Sequence, residues 1–256
     1  MRIAAPLKAL LSNLIDYAGL YPPASLPLDI VMERYGCFVA SPDGWILNRL
    51  VLPGAKLRNL VPSVLSTARI SLVVEDEPGT LPPQVETLEI KGTRRLSRPT
   101  YCEAPLSAIT DAFAKVRTGG LTPEAIPSTA GIAGFLARAA IRRLPFKATA
   151  GLHHPVRSMR ALTYAPDSPR AMMHGFLNVF AAAAFAWHGA ERETIQEVLE
   201  ETEATAFAFG AKALEWRGRQ LSTEQIADAR QNFAHSFGSC SFEEPIGDLR
   251  VLELLP

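Results

Sequence analysis

The chain has 256 residues, of which 48% are hydrophobic and 20% are charged. This is enough apolar material to bury a sizeable core, so the composition excludes an intrinsically disordered chain and favours one compact unit. Because 26 basic residues balance 26 acidic ones, the net charge provides no general attraction to nucleic acid or to an anionic membrane.

The first predicted elements are two helices, at residues 7–18 and 28–39, joined by a Gly/Pro loop at residues 19–23. Pro6 precedes the first helix, where its missing N–H costs nothing. Asp29 lies in the first turn of the second helix, where its charge suits the helix dipole. We expect residues 1–44 to be a helical extension packed on the main domain.

From Trp45 onward, short β-rich runs alternate with turns and helical runs. The predicted strands lie at residues 46–52, 70–75, 85–91, 100–103, 113–118, 146–150, 205–209 and 235–241. The predicted helices lie at residues 55–65, 106–112, 129–143, 171–187, 223–233 and 246–254. This alternation indicates a parallel sheet, and eight strands match a closed (β/α)₈ (TIM-type) barrel over residues 45–256. Short connections after the second and third strands make an open doubly wound parallel sheet the alternative.

Four successive predicted strands carry polar residues two positions apart, so the members of each pair share one face of their strand. The pairs are Glu89 with Lys91, Tyr101 with Glu103, Lys115 with Arg117, and Lys147 with Thr149. Unpaired buried charges are too costly to keep for packing alone. We therefore expect these faces to line the lumen at the C-terminal ends of the strands, where barrel active sites lie. A purely structural salt-bridge network is the alternative.

Two further charged residues, Arg49 and Glu75, lie on the first two predicted strands. With them, the lumen would hold five cations against three anions. An excess of positive charge predicts an anionic substrate, such as a carboxylate or a phosphate. The candidate substrate-binding residues on the strands are Arg117, Thr149, Lys91 and Arg49.

The segments at residues 115–119 and 147–151 share the pattern Lys-x-polar-x-Gly. Neighbouring strands lie about 4.8 Å apart, so Lys115 and Lys147 are expected to be close. Each cation makes protonation of the other more costly, which predicts a neutral, nucleophilic amine near pH 7. A Schiff base with a carbonyl substrate requires such an amine. We predict Lys147 as the nucleophile and Lys115 as its partner, with Glu103 or Glu89 moving protons.

The sequence Phe-Lys-Ala-Thr-Ala-Gly at residues 146–151 resembles the Schiff-base lysine strand of the deoxyribose-phosphate aldolase group. These are class I aldolases with a (β/α)₈ fold, and the resemblance implies that Lys147 forms the Schiff base. In that family a second lysine lies on the seventh strand, whereas the predicted seventh strand at residues 205–209 has none. Lys115 is the candidate partner instead. The chain is also similar to bacterial proteins with no assigned activity.

The segment at residues 152–169 is predicted to be a long loop over the barrel mouth, as active-site lids often are. His153 in this loop is a candidate general acid or base, because histidine titrates near neutrality. Asn178, which shares a helix face with His174, and Ser239, in a Gly/Ser segment suited to phosphate, are candidate substrate-binding residues.

Three cysteines, at positions 37, 102 and 240, are too few and too scattered for a disulfide framework or a zinc cluster. Cys240 is interpreted as a buried, unreactive thiol, with a nucleophilic thiol as the alternative. The most apolar stretch, residues 175–187, is shorter than the span of about 20 residues that a membrane requires. The N-terminus has no unbroken apolar run of the signal-peptide kind. We therefore expect a cytoplasmic protein.

The sequence has no Walker loop and no Gly-x-Gly-x-x-Gly, and its histidines lack zinc-site spacing, so we expect no cofactor and no metal. We predict a cofactor-independent barrel enzyme, of aldolase or lyase type, that acts on a small anionic carbonyl compound. No nucleic-acid or membrane partner is expected, and a homo-oligomer is left open. The alternatives are a cofactor-free isomerase or decarboxylase, a metal-dependent barrel hydrolase and a non-catalytic small-molecule binding protein.

Overall fold

Eight parallel strands close into a barrel in the computed structural model, which describes residues 3–60 and 66–256. The barrel strands are β1 (Ile15–Tyr17), β2 (Leu47–Pro53), β3 (Ile70–Val73), β4 (Val85–Lys91), β5 (Thr100–Glu103), β6 (Phe113–Arg117), β7 (Phe146–Thr149) and β13 (Ala234–Ser239). Each strand pairs with the next in chain order, and β13 pairs with β1 to close the ring. The predicted (β/α)₈ barrel is therefore confirmed, and the open sheet is wrong.

Helices flank the barrel. Those that begin at Leu28, Thr129, Thr223 and Glu243 lie close to predicted helices, whereas the helix that begins at Arg192 was not predicted. The α-helices are α1 (Ala5–Leu11), α2 (Leu28–Ala40), α3 (Thr129–Ile141), α4 (Phe176–Trp187), α5 (Arg192–Glu200), α6 (Thr223–Asn232) and α7 (Glu243–Val251). The predicted helix at residues 55–65 begins as a 3₁₀ helix, Gly54–Asn59, and its residues 61–65 lie outside the described residues. The predicted helix at residues 106–112 is only a 3₁₀ turn, Leu106–Ala108.

The N-terminal segment supplies the first barrel strand, which corrects the prediction of a purely helical extension. The predicted helix at residues 7–18 ends at Leu11, and Asn13 adopts a left-handed φ of 49° that ends the helical path. Asparagine tolerates this conformation better than most residues. β1 then follows, with Ile15 opposite Phe237 of β13 and Leu47 of β2. A boundary at residue 44 would therefore separate β1 from the barrel that it completes.

A buried arginine fastens this segment to the rest of the barrel. Arg230 of α6 donates from its guanidinium to the main-chain carbonyls of Leu10 (2.8 Å), Ser12 (3.0 Å) and Asn13 (3.3 Å). It also donates to the carbonyl of Ala234, the first residue of β13. The planar guanidinium has five N–H donors, so one side chain satisfies carbonyls from both ends of the chain where the barrel closes.

Between β7 and β13 the chain adds two small antiparallel sheets outside the barrel. One pairs β8 (Ser158–Ala161) with β9 (Arg170–Met173), and the other contains β10 (Phe207–Phe209), β11 (Ala213–Trp216) and β12 (Arg219–Ser222). The predicted barrel strand at residues 205–209 is thus an edge strand of the second sheet. Likewise, the predicted helix at residues 171–187 begins only at Phe176, because β9 occupies its first part.

The most apolar segment, α4, is a core helix between the barrel and α5. Its residues from Phe176 to Ala186 are all buried. Phe180 and Phe176 contact Phe237 of β13, with ring centroids 5.9 and 5.4 Å away. Nowhere in residues 3–60 or 66–256 is a helix both long and apolar enough to span a membrane.

Candidate active site

A cavity of about 1370 Å³ opens at the C-terminal ends of the barrel strands. Residues from both the strand ends and the loops that follow them form its wall, including Glu75, Glu89, Glu103, Lys115, Thr149 and Gly238. Catalytic residues of (β/α)₈ enzymes lie at this end of the barrel, so the cavity is the candidate active site.

Lys147, on β7, lies at the base of the cavity between two carboxylates. Its Nζ is 2.5 Å from Oδ2 of Asp16 and 2.6 Å from Oε1 of Glu89, and its side chain is only 1% exposed. Burial by itself would lower the pKa of Lys147, but the attraction of Asp16 and Glu89 raises that pKa above its ordinary value. Lys147 is therefore a permanently charged ammonium at neutral pH.

Asp16, on β1, is held by donors from three neighbouring parts of the barrel. Its carboxylate accepts hydrogen bonds from Asn48 Nδ2 (2.7 Å), Ser236 Oγ (2.8 Å) and the main-chain N–H of Arg49 (3.2 Å), besides the bond from Lys147. Sequence reasoning did not place this residue in the lumen, because its segment was predicted as helix. The apolar–polar–apolar alternation of Ile-Asp-Tyr is a signal that could have placed it on a strand face.

Glu89, on β4, bridges the two lysines. Oε1 accepts from Lys147 and from Ser71 Oγ (2.7 Å), whose own oxygen accepts from Thr87 Oγ1 (2.9 Å). Oε2 lies 3.0 Å from Nζ of Lys115. Burial alone would raise the pKa of Glu89, but the two ammonium groups lower it well below its usual range. Glu89 is therefore an ionised, fully paired carboxylate and not a proton donor at rest.

The outer part of the network reaches the open cavity. Lys115 Nζ lies 3.4 Å from Oε2 of Glu103, and Nε of the half-exposed Arg117 donates to Oε1 of Glu103 at 2.7 Å. Burial alone would raise the pKa of Glu103, but Arg117 and Lys115 lower it. The structure thus brings five of the predicted side chains into one network: Glu89, Glu103, Lys115, Arg117 and Lys147.

The two lysines are register partners on adjacent strands. Because β1 is the first barrel strand, Lys115 is on the sixth strand and Lys147 is on the seventh, each one place later than predicted. The predicted lowering of the pKa of Lys147 by Lys115 is wrong. The physical reason is that Asp16 and Glu89 both contact Nζ of Lys147 directly and outweigh the repulsion from one neighbouring cation.

The glycines that follow the two lysines allow a close contact between two loops. Gly119 and Gly151 face each other, and a Cβ on either would come within 2.8 Å of the Cα of the other. Gly151 also has a φ of +77°, which favours glycine. The repeated glycine therefore allows the loops after β6 and β7 to touch, which keeps Lys115 and Lys147 side by side.

The predicted substrate-binding residues fall into two groups. Thr149, Arg117 and the exposed Lys91 lie in the cavity wall. Arg49 does not, because its Nε is bound to Glu86 at the N-terminal end of β4, 2.8 Å away. Arg49 lies outside the wall, and the acidic Asp16 lies below the base of the cavity. The predicted excess of positive charge is therefore absent.

Ser239 is also not part of the cavity wall, so its predicted phosphate-binding role is wrong. Its hydroxyl donates to the carbonyl of Ser241 at 2.6 Å and accepts from the N–H of Ser241 at 3.3 Å. A serine at the end of a strand commonly bonds the backbone two residues ahead in this way. Ser239 therefore holds the turn between β13 and α7.

Asn178 is the third corrected residue, because its amide group is used entirely within the core. Oδ1 accepts from the N–H of Arg157 (2.9 Å), and Nδ2 donates to the carbonyls of Val198 and Glu201 (both 2.8 Å). These bonds join α4 to the loop after β7 and to the end of α5. Asn178 is a structural residue.

We expect Asn178→Ala to lower the free energy of unfolding by about 2–3 kcal/mol, because two buried main-chain carbonyls and one part-buried N–H lose their partners. Denaturation in urea measures this change. Asn232→Ala is the matched control, since Asn232 is exposed and bonds only Asp228 in its own helix. Equal losses in the two variants would show that the Asn178 bonds contribute nothing net.

The two histidines of the predicted loop point to different places. His153 lies in the cavity wall, and its Nδ1 is 3.1 Å from Oε2 of Glu244 on α7. Burial would lower the pKa of His153, but its hydrogen bonds with Cys240 and Glu244 raise it to about 9. His154 lies outside the wall, with Nδ1 2.6 Å from Oδ2 of Asp248. Only His153 is placed to serve a ligand in the cavity.

Tyr21, in the loop after β1, is a cavity residue that sequence reasoning missed. It lies in the wall, and its buried hydroxyl has no hydrogen-bond partner anywhere in the described part of the chain. Burial and the nearby Glu89 raise its pKa, so the hydroxyl keeps its proton. An unpaired buried hydroxyl is costly, and an oxygen atom of a bound ligand would satisfy it.

In the described part of the chain, the side chains that could ligate a metal do not come together. Nε2 of His174 lies 2.8 Å from the carbonyl of Pro127, and Glu103 is paired with Lys115 and Arg117. Within the residues that the structure describes, no group of three or more His, Cys, Asp or Glu side chains is arranged to hold a metal ion.

The chain was compared with protein-family models, with curated proteins and with solved structures, and none of these matches it. The fold does not decide the function, because one barrel architecture carries many unrelated reactions. The chemistry of the cavity is therefore the basis for a functional assignment. Its main features are an ion-pair network in which Lys115 is more exposed than Lys147, and an unpaired tyrosine hydroxyl.

Proposed function

We propose that this chain is an enzyme of aldolase or lyase type that forms a Schiff base between Lys115 and a small anionic carbonyl compound, without a cofactor. The observation that carries the proposal is the unequal position of the two lysines. Both contact Glu89, but the side chain of Lys115 is 11% exposed at the cavity, whereas that of Lys147 is 1% exposed.

The order of the strands supports Lys115 over Lys147 as the nucleophile. In the aldolase group that residues 146–151 resemble, the second lysine lies on the seventh strand. Lys147 occupies that strand here, so its strand number matches the second lysine although its local sequence resembles the Schiff-base strand. Lys115 on the sixth strand is then left to react. A second argument is the tightness of the ion pairs. Nζ of Lys147 lies 2.5 and 2.6 Å from its two carboxylates, whereas Nζ of Lys115 lies 3.0 and 3.4 Å from its own, so Lys147 is the more firmly held ammonium.

The proposed reaction uses the outer half of the network. Glu103 accepts a proton from Lys115, whose amine then bonds to the carbonyl carbon. The carbonyl oxygen leaves as water, taking the proton of Glu103 and one from the amine, and an iminium remains. Cleavage of the neighbouring C–C bond moves its electron pair into the iminium, which becomes an enamine, and releases an aldehyde whose hydroxyl proton passes to Glu103. Glu103 returns this proton to the enamine carbon, and water then hydrolyses the restored iminium to free Lys115 and the second product. Throughout, Lys147 keeps Glu89 ionised, and the fixed charges need no reorganisation during the reaction.

Substrate recognition is assigned to groups nearer the mouth of the cavity. The half-exposed Arg117 and the exposed Lys91 and Arg58 are cations of the wall that a carboxylate or phosphate can reach. Tyr21 offers its unpaired hydroxyl to a substrate oxygen.

Trapping with sodium borohydride tests the proposal directly. The chain is mixed with a panel of small aldehydes and 2-keto acids, reduced, and read by intact mass and peptide mapping. We expect a covalent adduct on Lys115 with at least one of these compounds. Lys56→Arg, which changes an exposed lysine near the rim but outside the wall, should leave the adduct yield unchanged, whereas Lys115→Arg should abolish it. An adduct confined to other lysines, or none at all, would contradict the proposal.

A non-catalytic binding protein is the second candidate. It is favoured by the complete pairing of Lys147, Asp16 and Glu89, since buried ion-pair networks also occur for purely structural reasons. A binding protein would show saturable heat on titration with a carboxylate or phosphate compound and no adduct after reduction.

A further inference from the structure

A second cluster of reactive side chains lies elsewhere on the wall of the same cavity. Cys240, one residue after β13, has its Sγ 4.0 Å from Nε2 of His153. The other imidazole nitrogen, Nδ1, is 3.1 Å from Oε2 of Glu244. Thiol, imidazole and carboxylate are therefore connected in sequence through the two opposite nitrogens of one ring. The proposed Schiff-base reaction uses none of these three groups.

Nucleophilic cysteines require this arrangement: a base in contact with the thiol and a third group that orients the base. Cys240 and His153 both lie in the cavity wall, so a small molecule that enters the cavity reaches them. We propose that Cys240, His153 and Glu244 form a second reactive centre, in which the Cys240 thiolate adds to α,β-unsaturated carbonyl compounds. This centre does not depend on Lys115, and its test is separate from the borohydride experiment.

The groups packed around the pair favour transfer of the thiol proton to the imidazole. Burial alone would raise the pKa of Cys240, but the hydrogen bond and the positive charge of His153 lower it below its ordinary value. Glu244 bonds His153, and Tyr164 donates to the same carboxylate oxygen at 2.9 Å. Tyr17 faces the thiol from β1, and burial raises its pKa to about 12, so it stays neutral.

The proposed addition balances without an oxidant or a cofactor. A lone pair of the Cys240 thiolate forms an S–C bond to the β-carbon of the conjugated carbonyl compound. The π electrons of the C=C bond move to the α-carbon, which takes the proton from Nε2 of His153. The product is a thioether, and the imidazole returns to its neutral form, still bonded to Glu244.

Acrylamide is a suitable probe, because it is a small conjugated carbonyl compound. It is applied at pH 6 and at pH 8 to a Cys37→Ser chain, which removes the exposed thiol, and peptide mass spectrometry follows the labelling of each remaining cysteine. The labelling rate of free N-acetylcysteine falls by a factor of about 100 from pH 8 to pH 6, because its thiolate fraction falls about tenfold per pH unit. We expect the labelling rate of Cys240 to fall by less than a factor of about five over the same range. Cys102 should stay unlabelled.

Variants of the two partner groups complete the test. His153→Gln removes the imidazole and should make labelling of Cys240 depend on pH as steeply as N-acetylcysteine does. Glu244→Gln should have a smaller effect of the same sign. His154→Gln is the matched control, because His154 is adjacent but bonds Asp248 outside the wall. A steep pH dependence in the parent chain, no labelling of Cys240, or an unchanged profile in His153→Gln would each overturn the proposal.

Discussion

Replacing Lys147 with methionine is expected to lower the free energy of unfolding by about 3–5 kcal/mol, since removing one partner of a buried ion pair leaves the other charge uncompensated. Here two carboxylates, those of Asp16 and Glu89, lose their shared ammonium. Denaturation in guanidinium chloride at pH 7 measures the change. Lys56→Met, at an exposed position, should change the free energy by less than about 0.5 kcal/mol.

The pH dependence of Lys147→Met identifies the cause of that loss. In the parent chain the pKa of Glu89 is lowered, so its ionised form stabilises the fold at neutral pH, and this stability is lost as the pH falls through the lowered pKa. In the variant, Glu89 keeps its burial but loses the cation that lowered its pKa most, so the pKa of Glu89 rises and its protonation favours the folded state. We therefore expect the variant to gain stability from pH 7 to pH 5, while the parent does not.

A second substitution tests, at a single pH, whether the unpaired carboxylate charge causes the loss of stability. Adding Glu89→Gln to Lys147→Met removes one of the uncompensated charges and should restore part of the lost free energy. If the double variant were less stable than Lys147→Met by the full cost of Glu89→Gln alone, the two side chains would be energetically independent. The ion pair seen in the structure would then contribute nothing.

Lys115→Arg is expected to lower kcat/KM by a factor on the order of 10⁴–10⁶, the scale of losses when a member of a covalent catalytic unit is removed. Arginine keeps the positive charge beside Glu89 and Glu103, but a guanidinium stays protonated and cannot attack a carbonyl. The measurement is turnover of whichever compound the borohydride experiment identifies.

The companion measurements for Lys115→Arg separate a chemical loss from a structural one. Its free energy of unfolding should remain close to that of the parent chain, because the ion pairs with both carboxylates are kept. Its Cys240 should still be labelled at pH 6 as in the parent. Retention of parental turnover by this variant would show that Lys115 is not the nucleophile, and a fixed-charge role for the whole network would replace the Schiff base.

Much of the barrel was predictable because its strands carry a local signal. Strands such as Val85–Lys91 and Thr100–Glu103 have the bounds that the sequence indicated. Their period of two places Glu89 opposite in direction to Leu88 and Ile90, and the high cost of burying unpaired charge places such residues in a shared lumen. The ion pairs that join Glu89, Lys115 and Lys147 agree with that reasoning.

The sequence by itself determined the parallel barrel, the polar face of four of its strands and the position of Lys115 beside Lys147. Each of these depends on residue patterns within a few positions. Only the tertiary structure decided which segment closes the barrel and which charges meet. Asp16 bonds Lys147 across 131 positions, and Arg230 bonds Leu10 across 220. Local periodicity carries no information about such distant partners, yet the partner sets the protonation state. The placement of Asp16 beneath Lys147 therefore moved the proposed nucleophile to Lys115.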